Sequence, residues 1–299
     1  MKSKWLVLGT VFVVGILVLS GLAWGAILTL GRSVVSGRGA SGSGVTVVVP
    51  SVDVSWNTRD RVRGSGDVVT KDVPVRDFDR VSLAGIGDVI VTQGETESLT
   101  IETDDNILPY IETEVRNGTL VIGLTEEARD KNLSPTMLLF HVSMKEVAGL
   151  DLSGAGDISA GSLDTDHLRI DLGGAGDVNI DALDAQSLTV NIGGAGSINV
   201  DALNAEESTV HLSGAGDIAL AGQVERQGVF LNGAGNYRCG ELESQRANVE
   251  LTGAGNATVW ATETLDVTIR GIGSIRYYGN PYVDAHQYGL GTLRRMGDR

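Results

Sequence analysis

The sequence predicts an all-β protein: a parallel β-helix, or solenoid, preceded by one N-terminal transmembrane helix. Three observations predict it. A Gly-x-Gly unit recurs with its first glycine at Gly154, Gly174, Gly194, Gly214, Gly233, Gly253, Gly271 and Gly289, in steps of 18 to 20 residues. Aliphatic and polar residues alternate on both sides of each unit. The stretch Trp5 to Leu30 carries no charge.

The N-terminal stretch comes first along the chain. Its 26 residues would span about 39 Å as a helix, enough to cross a hydrocarbon core of ~30 Å with tilt. Lys2 and Lys4 precede it, and Arg32 and Arg38 follow. It is longer than the ~7–15-residue apolar region of a cleaved signal peptide. We therefore expect an uncleaved signal anchor in residues 1–30, with the rest of the chain outside the cytoplasm. The membrane, met through residues 5–30, is then the first expected partner. Gly21 and Gly25 form a GxxxG pair, a pattern that lets two membrane helices approach, which adds self-association to the possibilities. Residues 31–65 begin GRSVVSGRGASGSG and read as a flexible Gly/Ser-rich linker, with Val45–Val49 able to form a strand. The ordered β-helical domain is expected at 66–299.

Within that domain the flanks of each unit show how it folds. Two residues before the first glycine stand Leu152, Leu172, Ile192, Leu212, Leu231, Leu251 and Ile269. Four before it stand Leu150, Ile170, Val190, Val210, Val229, Val249 and Val267. Polar residues lie between them, and alternation resumes after the turn, as in Val178 and Ile180. Period-two alternation marks a strand with one buried face. Each repeat reads as strand, Gly-x-Gly turn, strand, second turn. Such a unit cannot bury its apolar face alone, but stacking repeats ~4.8 Å apart builds a continuous aliphatic column. The seven steps between the eight units give a length of roughly 34 Å. Ala155, Ala175, Ala195, Ala215, Ala234 and Ala254 are expected to stack inward at the turns. Handedness and cross-section stay open.

An earlier copy of the unit, Leu83-Ala84-Gly85-Ile86-Gly87-Asp88, stands 69 residues before Gly154. The stretch between reads as further strands at Leu99–Glu102, Tyr110–Val115, Thr119–Leu124 and Met137–Met144, with a short helical turn over Asp104–Tyr110. Asn117-Gly118 signals a type I′ hairpin. This region is expected to cap the N-terminal end of the helix. Tyr277 to Arg299, rich in aromatics and arginine, is expected to cover the last coil.

The SGAGD and GGAGD turns, together with LTIETDDNILPYIETEVRNGTLVIGL and SIRYYGNP, resemble the DUF2807 family, also called the autotransporter adhesin head GIN domain. The resemblance covers about residues 66–295. It implies a β-helical protein of the bacterial envelope and brings no catalytic residues with it.

Composition narrows the chemistry. The chain has 38 acidic and 23 basic residues, a net charge of −15, which sets it against nucleic acid as a partner. A single cysteine excludes an internal disulfide framework, and four histidines exclude a zinc-finger array. The residue after Gly-x-Gly is Asp88, Asp157, Asp177, Ser197, Asp217, Asn236, Asn256 or Ser274. The favoured reading is a turn ladder in which these side chains cap local backbone N–H groups. The alternative is a calcium ladder with Asp157, Asp177 and Asp217 as ligands. Asp157 and Asp177 on adjacent coils also have the spacing of a retaining glycosidase pair. No basic cluster joins them, and His167, His211 and His286 fall at different repeat positions. A second outward column holds Asp151, Asp171, Asn191 and His211. Cys239 occupies the inward position of Ala160, Ile180, Val200, Leu220 and Val259, as a buried small hydrophobe. Trp260 and Tyr278 fall one step from that register. With Tyr277, Tyr282 and Tyr288 they form either end packing, the favoured reading, or an exposed contact patch.

The expected function is a membrane-anchored, surface-exposed, non-enzymatic binding protein or scaffold, adhesin-like, without a cofactor, meeting an envelope polymer or protein. The alternatives are a polysaccharide-processing hydrolase or lyase on the same fold, or a structural part of an envelope-stress system.

Overall fold

The structure is a computed structural model that describes residues 26–37, 45–56 and 61–299, with side chains described from 61 onward. The chain divides into two units, Met1–Arg59 and Asp60–Arg299. In the first, strand β1 (Ala26–Gly37) pairs antiparallel with β2 (Val45–Trp56). Most of the expected membrane helix over 5–30 lies outside the described residues; its last five, Ala26–Leu30, belong to β1. The segment expected as a linker likewise holds the rest of β1 and all of β2. Alternating valines in Val45–Val54 supply the strand propensity there. No helix among the described residues is long and apolar enough to cross a membrane.

The second unit is the solenoid. Its N-terminal part contains β3 (Arg61–Arg63), β4 (Val68–Val73), β5 (Arg80–Leu83), β6 (Asp88–Gln93), β7 (Ser98–Asp104), β8 (Ile111–Arg116), β9 (Thr119–Leu124), β10 (Asn132–Ser134), β11 (Leu138–Met144) and β12 (Gly149–Leu152). The repeats follow as β13 (Ile158–Leu172), β14 (Val178–Ile192), β15 (Ala195–Leu212), β16 (Ala215–Leu231), β17 (Ala234–Leu251), β18 (Ala254–Ile269), β19 (Ile272–Tyr278), β20 (Tyr282–Gln287) and β21 (Thr292–Gly297).

Each coil lies parallel on the one before. Leu150, Ile170, Val190, Val210, Val229, Val249 and Val267 stand in one register row, and Leu152 to Ile269 in the next inward row. Every one of these residues is 2% exposed or less. The pairing of β13 with β14 skips Gly161 and Asp166, so a coil has three paired segments, not two. The middle segment carries one inward residue per coil: Leu163, Leu183 and Leu203. Lone leucines three residues beyond Ala160 and five before Leu168 break the period-two pattern, which is why alternation alone misses this face.

The corners explain the glycines. Ala175 N–H donates to Gly154 O at 2.9 Å, and Ala195 N–H to Gly174 O at 2.9 Å. A Cβ on Gly174 or Gly194 would overlap the carbonyl oxygen of Gly154 or Gly174 in the coil beneath. The second glycines, Gly156 (φ 140°) and Gly176 (φ 144°), also take backbone conformations that side chains disfavour. With both glycines turned toward the neighbouring coil, the residue between them points out. Ala155, Ala175, Ala195, Ala215, Ala234 and Ala254 are exposed, which corrects the expectation of inward stacking.

The early copy of the unit is the first coil. Ile86 bridges Ala155, β5 pairs with β12, and β6 with β13. The intervening chain extends the sheet past this coil: β9 pairs with β5, β11 with β6, and β7 with both β11 and β4. β8 and β9 form the hairpin at Asn117 (φ 49°) and Gly118 (φ 77°), the two positive φ angles that a type I′ turn requires. The N-terminal end is thus capped as expected. The C-terminal end differs. Residues 277–299 complete the last coil as β20 and β21 and do not fold across it; within this unit no described segment lies on its outer edge.

Candidate functional site

The turn residues form a ladder between coils. Asp88 Oδ1 accepts from Asp157 N–H at 3.0 Å, Asp157 Oδ1 from Asp177 N–H at 2.8 Å, and Asp177 Oδ1 from Ser197 N–H at 2.7 Å. The pattern resumes at Asp217, which accepts from Asn236 N–H and Nδ2, and at Asn256, which accepts from Ser274 N–H and Oγ. These side chains cap N–H groups of the next coil, so the expected local cap becomes an intercoil one. Asp217 Oδ2 is taken by Arg238 Nη2 at 2.7 Å. Among the described residues no group of three or more His, Cys, Asp or Glu stands together so as to hold a metal. Asp157 and Asp177 each spend one carboxylate oxygen on a backbone donor.

The second outward column is held by bonds between side chains. Asp151 Oδ1 accepts from Ser82 Oγ at 2.5 Å and Ser153 Oγ at 2.9 Å. Asp171 accepts from Asn191 Nδ2 and pairs with Arg169 at 2.6 Å. His211 stacks on Phe230 of the next coil at 4.8 Å. His167 Nδ1 lies 2.9 Å from Ser187 Oγ and faces no carboxylate pair. Cys239 is buried as expected, and burial pushes its thiol up to about 12. Tyr277 packs against the core, Trp260 and Tyr278 are half-buried, and Tyr282 and Tyr288 are exposed, so the aromatics divide between both readings.

A concavity runs along the corner that ends the middle segment. It is a groove of about 600 Å³ crossing five coils. Its floor is Thr165, Ala185, Ala205, Val224 and Ser244, one residue from each coil. One wall is the register row Asp164, Asp184, Asn204, Gln223 and Glu243. The other is Asp166, Gln186, Glu206, Glu225 and Gln245. Asn204 Nδ2 donates to Asp184 Oδ1 and Gln223 Nε2 to Asn204 Oδ1, each at 3.2 Å; Gln186 Nε2 donates to Asp166 Oδ1 at 2.7 Å. The lining carries carboxylates and amides and no lysine or arginine. It can accept hydrogen bonds from hydroxyl or amine donors repeated along an extended chain, and it repels polyanions. The repeated acids and amides at these positions were visible in the sequence; the small floor residues that make them walls were not, because the extra corner was not.

The sequence matches the DUF2807 family, described as "Putative auto-transporter adhesin, head GIN domain", over residues 77–201 and 181–281. No curated protein matches it. Among solved structures, it is similar to a "putative lipid binding protein" from Parabacteroides distasonis, with TM-score 0.73 and 24% identity over 79% of this chain and 100% of that one. It is similar to a "putative adhesin" from Bacteroides fragilis, with TM-score 0.61 and 26% identity over 79% and 100%. A "putative adhesin" from Parabacteroides merdae gives TM-score 0.67 and 26% identity over 79% and 99%.

Proposed function

The chain belongs to the DUF2807 family of adhesin-like head GIN domains, and from that premise we propose that it is a non-enzymatic binding protein of the bacterial envelope. The uncharged stretch that begins at Trp5 and precedes β1 holds it in the membrane, and the solenoid stands outside the cytoplasm. Its ligand is an extended, uncharged or cationic polymer rich in hydroxyl donors, such as an envelope polysaccharide, seated in the five-coil groove.

The observation that carries this reading is the groove itself. Equivalent positions in successive coils present the same kind of acceptor at intervals of ~4.8 Å, a spacing that suits a polymer rather than a single small molecule. The two resembling adhesins support the adhesin-like class.

The test uses the full chain on an array of neutral, cationic and acidic glycans. Ala205→Trp fills the groove floor at a half-buried position. It should abolish retention of a neutral or cationic glycan without moving the unfolding temperature. Retention unaffected by Ala205→Trp would place the ligand elsewhere. Release of cleaved product, lost in Asp157→Asn or Asp177→Asn, would replace the binding reading with a hydrolase or lyase.

A further inference from the structure

A second concavity has the opposite chemistry. It lies on the segment that follows the Gly-x-Gly corner, in the last coils, with a volume of about 450 Å³. Arg238, Arg276 and Arg299 line it, with Tyr278, Asn256 and Thr258. Two carboxylates, Asp201 and Glu241, complete its charged lining. The rest of the chain is strongly acidic, so three guanidinium groups here are a local reversal. From residue 270 to 299 there are five arginines against two aspartates, in a chain of net charge −15.

The reversal is built by the repeat. The outward row that holds Asn179 and Asn199 in the regular coils holds Arg238, Thr258, Arg276 and Arg294 in the last ones. The change coincides with breaks in register between Ile218 and Ala221 and between Arg238 and Glu243. Gly240 sits in that break, where a Cβ would crowd the Tyr278 ring at 3.0 Å.

The arginines are not equally engaged. Arg238 pairs with Asp217 at 2.7 Å, and Arg299 pairs with Glu241 at 3.4 Å while lying 4.6 Å over the Tyr278 ring. Arg276 and Arg294 are direct register neighbours, both exposed, and neither makes an ion pair among the described residues. Like charges directly opposite on neighbouring strands destabilise a sheet. A bound anion between them would relieve that repulsion, and guanidinium groups suit the planar, bidentate geometry of a carboxylate.

We propose that this concavity binds an acidic saccharide, with a uronate carboxylate held by Arg276, the lining arginine without an ion-pair partner, beside its register neighbour Arg294, and the sugar hydroxyls met by Asn256 and Thr258. The site is open and polar, with no enclosed apolar space for an acyl chain, which favours a sugar acid over a lipid. It is independent of the groove proposed above, which repels anions.

The test titrates the full chain with trigalacturonate, with its methyl ester, with inorganic phosphate and with phosphatidylglycerol vesicles. Trigalacturonate should bind, with affinity that falls as salt rises. The ester should bind at least tenfold more weakly. Arg276→Gln should also weaken binding tenfold or more at an unfolding temperature no lower than that of the wild type. Glu241→Gln, which releases Arg299 from its partner, should tighten it several-fold. Equal binding of the ester, or wild-type affinity in Arg276→Gln, would overturn the proposal. Phosphate or vesicles binding as tightly as trigalacturonate would overturn the saccharide assignment. Loss of binding in Ala205→Trp would show that the acid enters the groove and not this site.

Discussion

Cys239 shows how a single residue repairs a break in the repeat. The pairing of β16 with β17 slips between Ile218 and Ala221, and the N–H of Leu220 falls in that gap. Cys239 Sγ accepts from that N–H at 3.2 Å, inside the core. Cys239→Ala should therefore cost about 1–3 kcal/mol, because a buried donor loses its partner. Cys239→Ser, which retains an acceptor, should cost less. Urea unfolding of the two variants checks the order, and the reverse order would show that burying the hydroxyl outweighs keeping the acceptor. The native thiol should resist alkylation until the chain is denatured, since burial holds it protonated. Asp104 ties segments together at the N-terminal cap, where it is fully buried. Its carboxylate accepts from Thr136 Oγ1 at 2.6 Å, Thr136 N–H at 2.7 Å and Gly66 N–H at 2.8 Å, joining three segments. The Thr136 hydroxyl is the main cause that holds its pKa below the ordinary 3.8. A depressed folded-state pKa contributes stability above the unfolded value and loses it as pH falls through the folded one. Asp104→Asn should thus lower the urea midpoint at neutral pH, and the gap from wild type should narrow as pH falls below 3.8. A gap constant with pH would remove the charge from the explanation.

The coil is the element whose construction the corner ladder decides. Asp177 supplies an acceptor to Ser197 N–H and stands beside Asp157, so it combines a useful hydrogen bond with like-charge repulsion. Asp177→Asn keeps the acceptor and removes the repulsion; it should be neutral or slightly stabilising. Asp177→Ala removes both and should cost about 1 kcal/mol. Thermal unfolding of both variants, with and without calcium, checks this. A calcium-dependent rise in the wild type that both variants lose would establish a metal ladder instead. Much of this element is legible in the sequence. The rows from Leu150 to Val267 and from Leu152 to Ile269 are the core rows of the structure, because alternation reports burial directly along a straight strand. The alanines between the glycines were misplaced, since alternation carries no information through a corner whose orientation depends on glycine facing the neighbouring coil. The middle face escaped for a related reason: Leu163, Leu183 and Leu203 are single inward residues with no alternating partner. Arg238 and Arg276 stand in plain view at equivalent repeat positions, but Arg299, outside the repeat, joins them only through the folded chain.

At the scale of the molecule the solenoid is nearly one-dimensional, each coil resting on its neighbours, so local differences between coils persist as distinct surfaces. The regular middle coils give a continuous groove. The irregular last coils give a basic concavity and an exposed final edge, where Tyr282, Tyr288 and Leu290 are 73% exposed or more. The groove is proposed to read a polymer coil by coil, and the affinity of the full chain for a length series of the neutral or cationic glycan retained on the array tests this. Five coils span four steps, about 19 Å at ~4.8 Å each. Affinity should rise with each added sugar and level off once the oligomer reaches that span, and Ala205→Trp should flatten the series. A disaccharide that binds as tightly as the longest oligomer would contradict a repeated site.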